Sequence, residues 1–384
     1  MPWTTSLITR VLSLLVISIS AVLAQSPPVV VGVVVSQTGP HAELADGYRK
    51  ALLLWQEETN AAGGLLGRSV DLRLLDDAST ASRAGALYED LIRKERAELL
   101  IGPFGSAATL LAAAAAERAR RVLINGAGPA RAVHRRAPRY VFQTGIPYAA
   151  YGPALLDLVR AEGISRLFVL ARDEPASREM ADGLRAAAVR EVEVYGNEVV
   201  DFAPLVEKAR AAKADAWIAF GGARDAADMV RTFKRLDYAP RFFFARGAAE
   251  PKFVPLVGQD AEFTLASIEY DARFATPGNE RFAKAYATKW GAAPGVAAAE
   301  GYAAATVLAA AVGRAGGFDQ EKLRTALAAL ETETVLGRHK AGPGGEQAAA
   351  RPALVQIRDG RPGVLARGER PVPYPQWSER QVLK

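Results

Sequence analysis

Residues 29–40 read Val29-Val30-Val31-Gly32-Val33-Val34-Val35-Ser36-Gln37-Thr38-Gly39-Pro40. A near-continuous apolar, β-branched run that ends in small and turn-forming residues describes a strand buried on both faces, as in parallel sheets. The segment after it carries Leu44, Tyr48, Ala51, Leu52 and Trp55 at helical spacing. It stops at Asn60-Ala61-Ala62-Gly63-Gly64, where glycine closes the helix. Residues 70–75 alternate as a second strand. Strand, amphipathic helix, strand is therefore the building unit.

Outward from this unit the rhythm continues. Further strands are expected at 98–101, 121–124, 139–143, 166–170, 192–199, 216–220, 242–244 and 263–268, with a hairpin over 353–366. Helices are expected at 81–94, 106–118, 148–161, 175–188, 202–211, 223–236, 279–290, 296–315 and 320–329. Such alternation means an α/β protein with mainly parallel sheets. About a dozen strands exceed what one doubly wound sheet comfortably holds. Two doubly wound parallel-sheet lobes fit better. No linker rich in Pro, Gly or Ser separates them, so the chain is expected to cross between lobes inside ordered structure.

Composition narrows the chemistry. The chain has 384 residues, 50% of them hydrophobic, enough for large cores. It has no cysteine, which excludes disulfides, thiolate metal sites and a cysteine nucleophile. The three histidines, His41, His134 and His339, are scattered, so no metal is expected. A net charge of +6, spread thinly, gives no case for nucleic acid. The basic triplet His134-Arg135-Arg136 reads as a surface loop. Before Glu43 the only charge is Arg10, followed by an apolar run that ends Ala21-Val22-Leu23-Ala24. That pattern is a signal peptide cleaved after Ala24, giving an exported protein. The run is too short to span a bilayer. No later segment reads as both long and apolar enough to do so.

Ligands of open α/β sheets bind outside the carboxyl ends of the strands. Three loops qualify: Ser36 to Pro40, Gly102-Pro103-Phe104-Gly105-Ser106, and Asn125-Gly126-Ala127-Gly128-Pro129. Ser106 opens a helix, where free amides favour an anion. Ser106 with the amides near Ala127, including Gly105 and Gly128, forms a candidate carboxylate cradle. The competing reading makes Ser106 an ordinary N-cap. Catalytic patterns are lacking. There is no phosphate loop, Gly126 to Arg131 breaks the dinucleotide fingerprint at its last glycine, and no Gly-x-Ser-x-Gly surrounds Ser106. No enzyme is expected and no cofactor. Asp76-Asp77 reads as a solvated strand end with its carboxylates on opposite faces.

Val33 to Pro40, Asn60 to Gly64 with Gly67-Arg68, Asp76-Asp77, Ile101-Gly102-Pro103 with Ser106, Tyr140 to Thr144, and Val355 to Gly360 together resemble the leucine/isoleucine/valine-binding proteins. These are type I periplasmic solute-binding components of ABC importers. The resemblance spans the mature chain and implies two lobes joined by a three-strand hinge. It divides the chain into 28–146 plus 271–338, and 147–270 plus 339–375. The hinge is then expected near 144–147, at 270–271 and near 336–339. It implies a periplasmic location, a small-molecule ligand held by cleft closure, and a membrane permease as partner. A sensor handing its ligand to a membrane receptor would use the same lobes.

The family's ligand residues carry over only in part. Its serine matches Ser106 and its backbone contact matches Ala127, both serving the ligand's carboxylate. The threonine that follows in the family stands as Pro129, the first-loop aromatic as Leu44, and the second-lobe tyrosine as Ala223. The acidic partner of an amino group stands as Arg246, with Gly247 beside it. Arginine suits a carboxylate. An amine-free organic acid is therefore one expected ligand. The alternative is that Glu250 or Asp225 meets the amino group of an amino acid. Tyr148 and Tyr151 are candidates to line the cleft or to pack the helix, and Gln37, His41 and Arg172 are weaker ones.

Overall fold

The computed structural model describes residues 26–185, 189, 191–366 and 368–379. The signal peptide and its cleavage after Ala24 lie outside the described residues, as does part of the helix expected over 175–188. The chain opens with β1 (Val29–Val34), α1 (Ala42–Ala61), β2 (Val70–Leu75), α2 (Ala84–Arg93), β3 (Leu99–Ile101), α3 (Ser106–Ala119), β4 (Leu123–Asn125) and β5 (Val141–Gln143). Among the described residues these strands form a parallel five-stranded sheet in the order β2-β1-β3-β4-β5. The order reverses between β1 and β3. The loops after those two strands therefore flank the crevice where such sheets bind ligands.

A second run follows: α4 (Tyr151–Ala161), β6 (Leu167–Arg172), α5 (Pro175–Asp182), β7 (Val192–Tyr195), α6 (Ala203–Ala211), β8 (Ala216–Phe220), α7 (Ala223–Arg235), β9 (Phe242–Ala245), α8 (Phe253–Val257) and β10 (Leu265–Ile268). The chain then adds α9 (Asn279–Trp290), α10 (Val296–Ala315), α11 (Gln320–Ala328), the hairpin β11 (Glu331–Thr334) and β12 (Gly337–Lys340), and finally β13 (Ala353–Arg358) and β14 (Arg361–Val364). The second sheet has the order β14-β13-β10-β9-β8-β6-β7, parallel from β7 to β10, with β13 and β14 antiparallel at its edge. The α/β fold with two parallel-rich lobes is as expected. The chain crosses between sheets after β5, after β10 and between β12 and β13. The third passage differs from expectation, because residues 336–339 belong to the β11–β12 hairpin and the crossing follows at 341–352.

Apolar burial explains the layers. Val31, Val33, Ile101 and Ile124 pack with Tyr48 and Leu52 of α1 and with Ala304 and Leu308 of α10. By length and hydropathy α10 could cross a membrane, contrary to the sequence reading; yet 67% of its most apolar stretch is buried and it packs on α1 as a core helix. In the second lobe the fully buried Trp217 sits among Phe168, Phe233 and Tyr238, with ring centroids at 5.1, 4.9 and 6.2 Å. Its indole N–H points at Met229 Sδ, 3.4 Å away.

The crossings are stapled by polar groups. Gln347 Nε2 lies 3.3 Å from Thr144 O and 3.2 Å from His339 Nδ1. A donor at Nδ1 leaves the imidazole proton on Nε2, which is buried without a partner among the described residues. Burial lowers the His339 pKa to about 4. The unfolded chain then binds a proton below pH 6.5 that the folded chain refuses until about pH 4. Stability is full above pH 6.5 and falls between those values, by about 3 kcal/mol in all. Urea midpoints at pH 7 and pH 4.5 should differ more for the wild type than for His339→Gln. Equal differences would rule His339 out as the cause.

Candidate ligand cleft

α3 begins at Ser106 with Gly105 as its N-cap, held at φ +94°, a region glycine enters without strain. Ser106 is thus not the cap that the alternative reading made it. Its Oγ accepts a hydrogen bond from Ala130 N–H at 3.1 Å. The hydroxyl proton is left for another acceptor. Thr109 N–H bonds to Gly105 O at 3.1 Å, so the amides of Ser106, Ala107 and Ala108 have no acceptor within the helix. Hydroxyl, free amides and helix dipole converge on one half-buried spot suited to a carboxylate.

Three other members of the expected cradle have different duties. Gly105 N–H donates to Ala127 O at 3.0 Å, within an isolated parallel bridge between Phe104 and Ala127. Gly128 N–H donates to Asn125 Oδ1 at 2.8 Å, and its carbonyl accepts from Asn125 Nδ2 at 2.9 Å. Gly105 and Gly128 therefore spend their amides on holding the two loops together, not on a ligand. Ala127, 4% exposed, lies against Phe104 and Gly105 in this bridge.

The loop after β1 is built by aspartates. Asp76 accepts from Gln37 N–H at 2.9 Å and from the Thr38 hydroxyl at 2.6 Å. Asp77 accepts from the Ser36 hydroxyl at 2.7 Å and is 2% exposed. This corrects the reading of a solvated strand end: residues some 40 positions apart share the acids. Gln37 is exposed at this rim.

From the second lobe, Arg246 follows β9 and pairs with Glu250, Nη1 to Oε1 2.9 Å. Glu250 Oε2 also accepts from Ala223 N–H at 3.3 Å, which occupies the Ala223 amide. Asp225 is 6% exposed and committed to Gly222 N–H at 2.9 Å, Tyr195 Oη at 3.2 Å and Arg172 Nη1 at 3.3 Å. Of the two alternative acids, only Glu250 stands beside Arg246. The lobes meet where Tyr148 N–H reaches Pro129 O at 3.2 Å and Arg131 N–H reaches Glu179 Oε1 at 2.8 Å. Tyr148 is half-buried at this junction. Tyr151 is 3% exposed and its hydroxyl bonds Glu269, so it belongs to the hinge core and not to a ligand surface.

The residue overlooked by sequence reasoning is Glu300, 6% exposed on α10. A Cβ at Gly145 of the first crossing would lie 3.6 Å from its Oε1. Burial and the field of Glu269 hold its carboxyl well above the usual carboxylate range. Burial likewise raises Glu269, against the pull of its Tyr151 bond and of Arg246. The signal was available: Glu300 is the only acid in an alanine-rich helix whose one other charge, Arg314, stands in the last turn.

Comparisons with known proteins agree with the fold. The profile of the family described as periplasmic binding protein matches residues 28–362. An amino acid binding protein of Pseudomonas aeruginosa is 26% identical over 345 residues, covering 85% of this chain and 90% of its own. A crystal structure of a putative branched-chain amino acid ABC transporter from Rhodospirillum rubrum superposes with a TM-score of 0.79 at 23% identity, covering 88% of this chain and 99% of that one. A solute-binding protein of an ABC transporter from R. palustris, solved in complex with benzoate, superposes with a TM-score of 0.68 at 20% identity, covering 91% and 98%.

Proposed function

This chain belongs to the periplasmic binding protein family, and we propose that it holds a small carboxylate-bearing solute between its lobes and presents the closed form to the permease of an ABC importer. The observation that carries this reading is the Ser106 hydroxyl, whose oxygen accepts from Ala130 N–H and whose proton is thereby left as a donor beside the first amides of α3, which have no acceptor in the helix. The nature of the relatives supports it: one is named for amino acids and one was solved with benzoate, both carboxylates. Relatives are solute-binding proteins and, among the described residues, no group in the cleft forms a nucleophile–base pair, so we read the protein as a carrier without catalysis. A thermal-shift screen of the mature protein against amino acids and aliphatic and aromatic acids tests it. A solute at 100 times its Kd adds about 2.7 kcal/mol, a shift of a few degrees. If no carboxylate raises the Tm, the reading fails.

For the second lobe we take Arg246 as the partner of an amine-free acid. A second reading is favoured by its contact with Glu250, which brings an acid to where an ammonium would lie. The two predict opposite signs. With an amine-free acid, Arg246→Ala weakens binding about tenfold, and Glu250→Gln frees the guanidinium and tightens binding about fivefold, near 1 kcal/mol. With an amino acid, Glu250→Gln weakens binding instead, since an ammonium buried without its anion is costly. Titration calorimetry of the two variants with the solute found in the screen separates them.

A further inference from the structure

Beside the cleft, at the hinge, lies a cavity of about 530 Å³ that shares no residue with the Ser106 cradle. One wall comes from the first lobe, with Arg131, His134, Arg135 and Gln143. The facing wall comes from the second lobe, with Ala149, Ala150, Pro153 and Glu179. The third crossing closes it with Gly344, Glu346, Ala348 and Arg351. Two of the three basic residues that the sequence offered as a plain surface loop are thus part of a built concavity.

Its charges are unevenly spent. Glu179 accepts Arg131 N–H at 2.8 and 3.1 Å, and Glu346 accepts Gly344 N–H at 2.9 Å. His134 Nδ1 lies 2.9 Å from Gly344 O, so it carries the proton there, and burial lowers its pKa toward the neutral form. Arg351 reaches its nearest acid, Asp157, only at 3.9 Å. Arg135 has no ion pair among the described residues. The side-chain nitrogen of Gln143, a residue 2% exposed, has no hydrogen-bond partner among them either. The acids are occupied and donors remain, between walls made largely of Ala and Pro.

We propose that this cavity is a second ligand site, for a small organic acid with one carboxylate and an apolar body. The carboxylate takes Arg135 and supplies the acceptor that Gln143 lacks, while the apolar body lies on Pro147, Ala150 and Pro153. Because its walls belong to both lobes and to two crossings, the occupant fixes the angle between lobes. Its binding is therefore linked to cleft closure, and each ligand alters the affinity of the other by the same factor.

The probe is 4-(trifluoromethyl)benzoate followed by ¹⁹F NMR on the mature protein carrying Ser106→Ala, which weakens the cleft cradle so that the cavity variants report on the second site. A bound signal is expected to persist there. Adding Ala348→Trp, at an exposed rim position, fills the cavity and weakens that signal at least tenfold. Arg135→Ala, at an exposed position with no ion pair among the described residues, weakens it about fivefold and stands in if the tryptophan variant does not fold. If Ser106→Ala shows no bound signal at millimolar probe, or if neither cavity variant changes it, the proposal is overturned. The cleft reading is judged separately, by the solute screen on the wild-type protein.

Discussion

Alanine at position 106 is expected to weaken solute binding by roughly 10- to 100-fold with little change in stability. A hydrogen bond to a charged acceptor contributes about 1.5–3 kcal/mol, and each 1.4 kcal/mol is tenfold in Kd. Ser106 stands where that contribution is largest, at the start of a 14-residue helix whose first amides lack acceptors. The variant also releases Ala130 N–H, but at a half-buried site within reach of water, so the melting temperature should drop by only a few degrees. Ser106→Thr keeps the hydroxyl and should bind within about threefold of wild type. Calorimetry with the best solute reads all three proteins. Equal affinity for Ser106→Ala and wild type would remove the cradle from the argument.

The parts of this site legible in the sequence were those written locally. The Val29–Val34 strand, the glycine stop after α1 and the Gly105-Ser106 helix start each announce themselves within a few residues. Arg246 was singled out only by the family resemblance, as the residue standing where relatives carry an acid, and its pairing with Glu250 is an i,i+4 relation that the sequence also contains. What stayed hidden depends on distant partners. Asp77 is buried because Ser36 reaches it across 41 positions, and Tyr151 is a hinge residue because Glu269 lies 118 positions on. The β11–β12 hairpin was missed for another reason. Its strands, Glu-Thr-Glu-Thr and Gly-Arg-His-Lys, show no apolar alternation, since most of their side chains face solvent and the pair is held by its own register and by Glu331 with Arg338 and Lys340. Strand β7 is shorter than the apolar pattern suggested, because Gly196-Asn197 turns the chain where the reading ran on to 199.

At the hinge a single added methyl group is expected to cost a large part of the stability. Gly145 lies in the first crossing, and a Cβ there would sit 2.1 Å from Gly126 O, a backbone atom of the loop behind the cradle. No side-chain rotation relieves such a contact. Either the crossing or the β4 loop must move, and overpacking of this kind costs typically 1–3 kcal/mol. Gly145→Ala should fall at the upper end of that range, near 3 kcal/mol, lowering the urea midpoint accordingly. The functional effect is separate from the energetic one. Thr144 N–H bonds Asn125 O at 2.9 Å, and Gln347 ties the same residue to the third crossing, so a shifted Gly145 disturbs two of the three passages between lobes. It also moves the backbone that covers Glu300. Small-angle scattering should then show a wild-type protein that contracts on adding the solute from the screen, and a Gly145→Ala protein that contracts less at saturation. If the variant keeps both the wild-type midpoint and the full contraction, the close approach of the two backbones does not constrain the hinge, and closure must pivot on the second and third crossings alone.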